Sequence, residues 1–141
     1  MSEPTKPVSL PLPAMEGLAK AFYEFCRARE LRFQRCTDCG TWRHVPRERC
    51  GECGSARTEW ARSSGRGTVF TWTTVARALH PAFAGETPYA AVVVEMDEGV
   101  RLLSRVVDVA PDALAVGMPV EVIFEDVTPE VTLPRFRRRG A

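Results

Sequence analysis

Hydrophobic and polar positions change their period along the chain. Met15, Leu18, Ala19, Phe22, Phe25 and Cys26 recur at three- and four-residue spacing, which puts them on one face of a helix. Arg27 and Arg29 follow in what would be its last turn, where cations suit the helix dipole. The pattern predicts a helix over 14–29, preceded by an extended arm with prolines at 4, 7, 11 and 13. One amphipathic helix cannot bury its stripe alone, so the stripe must pack on the chain's own domain or on a partner. The exposed aromatic Trp42, with Phe22 and Phe25, is the candidate partner interface.

Beyond the helix the period shortens. Residues 31–34 and 57–61 read as short strands on either side of a cysteine-rich stretch. From Arg66 onward, 69–76 alternates with Phe70 and Trp72 on one face, and 89–96 is a near-continuous apolar run suited to a buried strand. Residues 100–109 follow across the turn signal Asp97-Glu98-Gly99 as a hairpin. A short helical turn at 111–114, a long strand at 120–127 and an extended piece at 131–136 complete the set. Five strands with a helical insertion after the third are the elements of a small closed barrel. An OB-fold is the best-known barrel of this size, and periodicity alone does not separate it from an SH3-like one.

The cysteines add chemistry to this outline. Cys36-x-x-Cys39 and Cys50-x-x-Cys53 stand ten residues apart, and each pair is followed by glycine, Gly40 and Gly54. Two thiolates two residues apart on a tight turn can both reach one metal at about 2.3 Å, and glycine permits the positive φ of such turns. Two turns face to face give tetrahedral sulfur coordination, with no open position for water or substrate. The expectation is structural Zn2+ holding about thirty residues that lack a core of their own, with iron as the rival metal. Cys26 lies on the apolar stripe and reads as a small buried hydrophobe. His44 and His80 fall in loops; no Ser/His/Asp set, phosphate-cradling loop or carboxylate pair is apparent, so no active site is expected.

Composition sharpens this picture mainly through charge. The chain has 141 residues, 19 basic and 18 acidic, with no apolar run long enough to span a bilayer. Its first residues lack a charged region followed by an apolar one, so a cytoplasmic location is expected. The near-neutral total conceals a division: 27–66 holds ten basic and five acidic residues, 86–130 two basic and ten acidic, and 131–141 four arginines and no acid. An OB-fold that binds single strands presents aromatics in a basic groove on its second and third strands. Here those strands carry Tyr89 alone among aromatics and lie in the acidic stretch. Nucleic-acid binding by the barrel is therefore disfavoured, and any anion contact moves to the ribbon and tail.

The run Phe33-Gln34-Arg35-Cys36-Thr37-Asp38-Cys39-Gly40, with Pro46-Arg47 ahead of the second cysteine pair, resembles a family that joins an N-terminal helix, a rubredoxin-like zinc ribbon and an OB-fold. The resemblance continues through Trp60, Ser64-Gly65-Arg66-Gly67-Thr68-Val69, Tyr89, Glu98-Gly99, Gly117-Met118-Pro119-Val120 and Leu133-Pro134-Arg135-Phe136. It departs at Gly51, where a proline is common. The resemblance implies a mainly β fold divided as arm and helix (1–30), zinc ribbon (31–62) and five-stranded OB-fold barrel with a basic tail (63–141). It also implies a non-catalytic accessory subunit, in a hetero-oligomer with a thiolase-fold acyl-CoA enzyme, such as a thiolase, a steroid- or fatty-side-chain-cleaving aldolase, or a hydratase. CoA carries phosphates, and arginine forks suit phosphates, so Arg62, Arg66, Arg135 and Arg137 are the candidate contacts for a CoA thioester.

Overall fold

The predicted helix forms over a shorter span, α1 (Gly17–Arg27), in a computed structural model that describes residues 11–140. Residues 1–10 of the expected arm lie outside the described residues. Glu16 is still extended (φ −143°, ψ 162°) and Arg29 has left-handed backbone (φ 65°), so the helix is bounded on both sides inside the apolar pattern. Its stripe turns inward: Phe22 and Cys26 are buried, and Phe22 stacks 6.4 Å from Phe33.

The ribbon is a three-stranded antiparallel sheet. β1 (Arg32–Cys36) lies between β2 (Trp42–Arg43) and β3 (Thr58–Arg62), with Gln34 opposite Arg43 on one side and Trp60 on the other. Only β1 contributes fully buried side chains to the shared core, through Phe33.

The second sheet has five strands: β4 (Arg66–Val75), β5 (Tyr89–Met96), β6 (Arg101–Ser104), β7 (Pro119–Asp126) and β8 (Thr132–Arg138). Their order is β6-β5-β4-β7-β8, all antiparallel. The two outer strands then meet. Just beyond β6, Val106 pairs in parallel with Phe136, whose N–H donates to the Arg105 carbonyl (2.9 Å) and whose carbonyl accepts from Val107 N–H (2.8 Å). Bringing the third and fifth barrel strands together closes a Greek-key barrel of OB type, which decides between the two barrels left open by periodicity. Short 3-10 turns at Pro81–Phe83 and Pro111–Ala113 lie in the β4–β5 and β6–β7 connections.

Two strand expectations need correction. The run 100–109 is not one strand, because the chain leaves β5 after Ser104 to reach β8. Phe70 and Trp72 do not share a face. A β-bulge between Val69 and Thr71 leaves Phe70 outside, where the Arg101 guanidinium sits 3.8 Å from its ring centre, while Trp72 packs against the core. The interior is filled by Val69, Val92, Val94, Val120 and Phe136, and α1 covers β8 and the end of β7.

Candidate metal centre and its surroundings

Cys36 ends β1, and its carbonyl accepts from Gly40 N–H (2.9 Å) while its own N–H donates to Thr41 (2.9 Å). The second turn repeats this arrangement: Gly54 N–H donates to the Cys50 carbonyl and Cys50 N–H to Ser55, both at 2.9 Å. Gly40 (φ 78°) and Gly54 (φ 75°) occupy the left-handed region that closes each turn, so a side chain at either position would strain it. The two turns face each other with all four sulfurs within 4.8 Å.

That geometry fits a metal ion. Bonds of about 2.3 Å arranged tetrahedrally separate sulfurs by about 3.8 Å. Cys36 and Cys53 Sγ stand 3.6 Å apart, as do Cys39 and Cys50 Sγ, far beyond disulfide length, and all five cysteines are free thiols. Three of the four thiols are already biased toward thiolate. Backbone N–H groups of Cys39 lower Cys36, the Thr41 side chain lowers Cys39, and backbone N–H groups of Cys53 and Glu52 lower Cys50. Cys53 is pushed up to about 12: a backbone hydrogen bond at Ser55 favours its thiolate, but the Cys36 sulfur, desolvation and then the Cys39 and Cys50 sulfurs together outweigh it. Four thiols converging without a cation is an arrangement that a divalent ion resolves.

A supporting layer holds the turns. Buried Gln34 accepts through Oε1 from Arg43 Nε (2.9 Å) and from Arg47 N–H (2.7 Å), which pins the loop leading to Cys50. Ser55 Oγ donates to Asp38, bridging the second turn to the first. These partners act on the position of the sulfurs through the backbone.

The remaining candidate residues do not converge. Phe22 is 4% exposed, with Tyr23, Phe33 and His44 against it, because its face of α1 is the inner one; it is not part of an outward surface. Phe25 is half-buried against Trp60 beneath the Arg32 guanidinium. Trp42 is half-buried, with Arg35 over its ring. Arg62 pairs with Glu30 (3.6 Å), Arg135 with Glu125 (3.0 Å) and Arg137 with Glu121 (2.9 Å). Arg66 is exposed and has no carboxylate partner among the described residues.

Two features escaped the sequence pattern. A cavity of about 370 Å³ opens beside the β4–β5 loop, walled by Phe83, Tyr89, Val106, Leu133, Arg105 and Arg135. Arg105 lies 4.1 Å over the Tyr89 ring and pairs with Glu86 (3.0 Å). Isolated aromatics flanking a loop were its only signal. His44 is not a solvated loop residue: its ring packs 4.9 Å from Phe22 and 5.3 Å from Phe33, its Nδ1 has no hydrogen-bond partner among the described residues, and burial pushes it down to about 4. Cys26 is fully buried, and desolvation raises its thiol to about 12, which suits packing and not nucleophilic attack.

Comparison with known proteins agrees with this architecture. Residues 24–59 match the family model described as the ChsH2 rubredoxin-like zinc ribbon domain, and 60–125 match the ChsH2 C-terminal OB-fold domain. A chain of the solved "Ltp2-ChsH2(DUF35) aldolase" is 38% identical and superposes with a TM-score of 0.82 over 90% of this chain and 98% of that one. The chain belongs to the ChsH2/DUF35 family. Among the family's relatives, a probable enoyl-CoA hydratase alpha subunit of Thermomonospora curvata is 39% identical over 94% of this chain, which spans 41% of that relative's length. A DUF35 domain-containing scaffold protein of Methanocaldococcus jannaschii is 35% identical over 66% of each chain. No helix among the described residues is long and apolar enough to cross a membrane.

Proposed function

We propose that this DUF35 protein is a non-catalytic accessory subunit of a cytoplasmic acyl-CoA enzyme complex, forming a hetero-oligomer with a thiolase-fold enzyme. The observation that carries the reading is the match, over 90% of this chain and 98% of the other, to a chain of the Ltp2-ChsH2(DUF35) aldolase. The scaffold naming of the Methanocaldococcus jannaschii relative and the enoyl-CoA hydratase naming of the Thermomonospora curvata one point the same way. In this reading Cys36, Cys39, Cys50 and Cys53 hold structural zinc, and α1 and the ribbon (31–62) present a surface to the partner through Phe25 and Trp42. A contact with the CoA thioester would draw on Arg66, whose charge is uncompensated, and on Arg135 at the cavity mouth.

Affinity purification of the full chain from its native host tests the reading. Stoichiometric recovery of a thiolase-fold enzyme is the expected result, and elemental analysis of the complex should give one zinc per chain. Recovery of nucleic acid alone, or acyl-CoA turnover by the isolated chain, would overturn it.

A further inference from the structure

The two metal-binding turns are copies of one another beyond their cysteines. The sequence Arg-Cys-x-acid-Cys-Gly occurs at 35–40 and again at 49–54. In the structure each arginine does the same thing. Arg35 Nε donates to the Gly40 carbonyl (3.2 Å) and Arg49 Nη1 donates to the Gly54 carbonyl (3.0 Å), so each side chain folds back over its own turn onto the glycine that closes it.

Neither arginine has a carboxylate partner among the described residues, whereas Arg29, Arg57, Arg101, Arg105, Arg135 and Arg137 all have one. Two positive charges on exposed side chains therefore sit beside the turns, each anchored by one carbonyl hydrogen bond and without a carboxylate partner among the described residues. A divalent ion bound by four thiolates carries two negative charges in excess, and here Cys36 and Cys50 are buried while Cys39 and Cys53 are exposed, so solvent disperses only part of that charge. The carbonyl hydrogen bonds fix the position of each guanidinium without cancelling its charge.

We propose that Arg35 and Arg49 are matched positioning residues of the metal centre, each clamping its own turn through the glycine carbonyl and together offsetting the excess negative charge of the thiolates. Outer-layer partners of this kind typically change metal affinity by about 10- to 100-fold when removed. Arg57 does not share the role, because Asp38 takes its charge at 3.5 Å.

The inference rests on the metal-centre reading, so the test begins with metal content. Wild-type protein, the double variant Arg35→Gln/Arg49→Gln and the double variant Arg35→Lys/Arg49→Lys are loaded with zinc, and affinity is measured by competition with a chromophoric chelator at two salt concentrations. Glutamine keeps a donor and loses the charge; lysine keeps the charge. The glutamine pair should bind zinc about tenfold more weakly or worse, the lysine pair within about threefold of wild type, and high salt should narrow the gap. Arg47→Gln, which removes a ribbon charge whose side chain makes no hydrogen bond among the described residues, should change affinity less than about twofold. Glutamine variants as tight as wild type, or lysine variants as weak as glutamine, would overturn the role of the arginines alone. Wild type that takes up no metal would overturn the centre itself. If the double variant does not fold, the single variants carry the same comparison, each with about a threefold loss expected.

Discussion

Arg29, the second residue beyond α1, grips Asp126 at the end of β7 with both terminal nitrogens, Nη1 to Oδ1 at 2.9 Å and Nη2 to Oδ2 at 2.5 Å. Ninety-seven residues separate the partners. Thr132 Oγ1 also donates to Asp126 (2.6 Å), so one carboxylate ties the helix end to the β7–β8 turn. The left-handed backbone at Arg29 turns its side chain toward the barrel instead of along the helix.

The Arg29 hydrogen bonds, then that of Thr132, hold the Asp126 carboxyl at about 2. A depressed folded-state value stabilises the fold above the unfolded carboxylate range near 3.9, and that contribution disappears as pH falls through about 2. Both side chains are half-exposed, so the effect is small. Asp126→Asn should lower the melting temperature by a few degrees at most at pH 7, with the difference from wild type vanishing near pH 2. A difference unchanged between pH 7 and pH 2 would show that the ion pair is not its source.

The contrast between this clamp and the metal centre marks what could be read along the chain. Cys36, Cys39, Cys50 and Cys53 are legible because their chemistry is local: spacing and flanking glycines bring each pair onto one turn. The barrel strands are legible in outline for the same reason, 69–76 by its alternation and 89–96 as a near-continuous apolar run. The OB closure, the bulge at Phe70 and the Arg29–Asp126 pair are products of tertiary geometry, where residues far apart select each other. The helix stripe also gave no indication of what would cover it; Phe22 faces Phe33 and His44 of the same chain.

Metal removal should act first on the ribbon. Its strands are short and contribute little buried apolar surface, whereas the barrel has its own core of Val69, Val92, Val94, Val120 and Phe136. Chelation or Cys36→Ser is expected to abolish stoichiometric metal and to lower the melting temperature markedly. Hydrogen exchange should locate the loss of protection in 31–62 while β4 and β5 remain protected. Unchanged metal content and melting temperature in Cys36→Ser would refute the centre.

Gly67 is required by close approach, not by its backbone angle. A Cβ there would lie 2.5 Å from the Glu95 carbonyl oxygen and 2.9 Å from Val94 Cγ1, across the β4–β5 pairing. The nearest obstacle is backbone of a central strand, which cannot rotate away. Gly67→Ala should therefore destabilise by about 1–3 kcal/mol or more in denaturant titrations, with the metal still bound. Gly85→Ala, where a Cβ meets nothing within 4 Å, is the control and should be nearly silent.

His44 sets a second pH window, opposite in origin to that of Asp126. Burial against Phe22 and Phe33 disfavours the imidazolium and pushes the group from 6.5 down to about 4. Below pH 6.5 the unfolded chain takes up a proton that the folded chain refuses, so stability should decline between pH 6.5 and 4, by about 2–3 kcal/mol in total. The unpartnered Nδ1 adds a desolvation cost at every pH. Replacing the imidazole by an apolar ring removes both terms. His44→Phe should match or exceed wild-type stability at pH 7, and its advantage should grow as pH falls toward 4. Acid release of the metal lowers both proteins alike, so the diagnostic quantity is the difference between them. A difference that stays flat over this window would mean that His44 titrates normally and that its ring is more solvated than its packing implies.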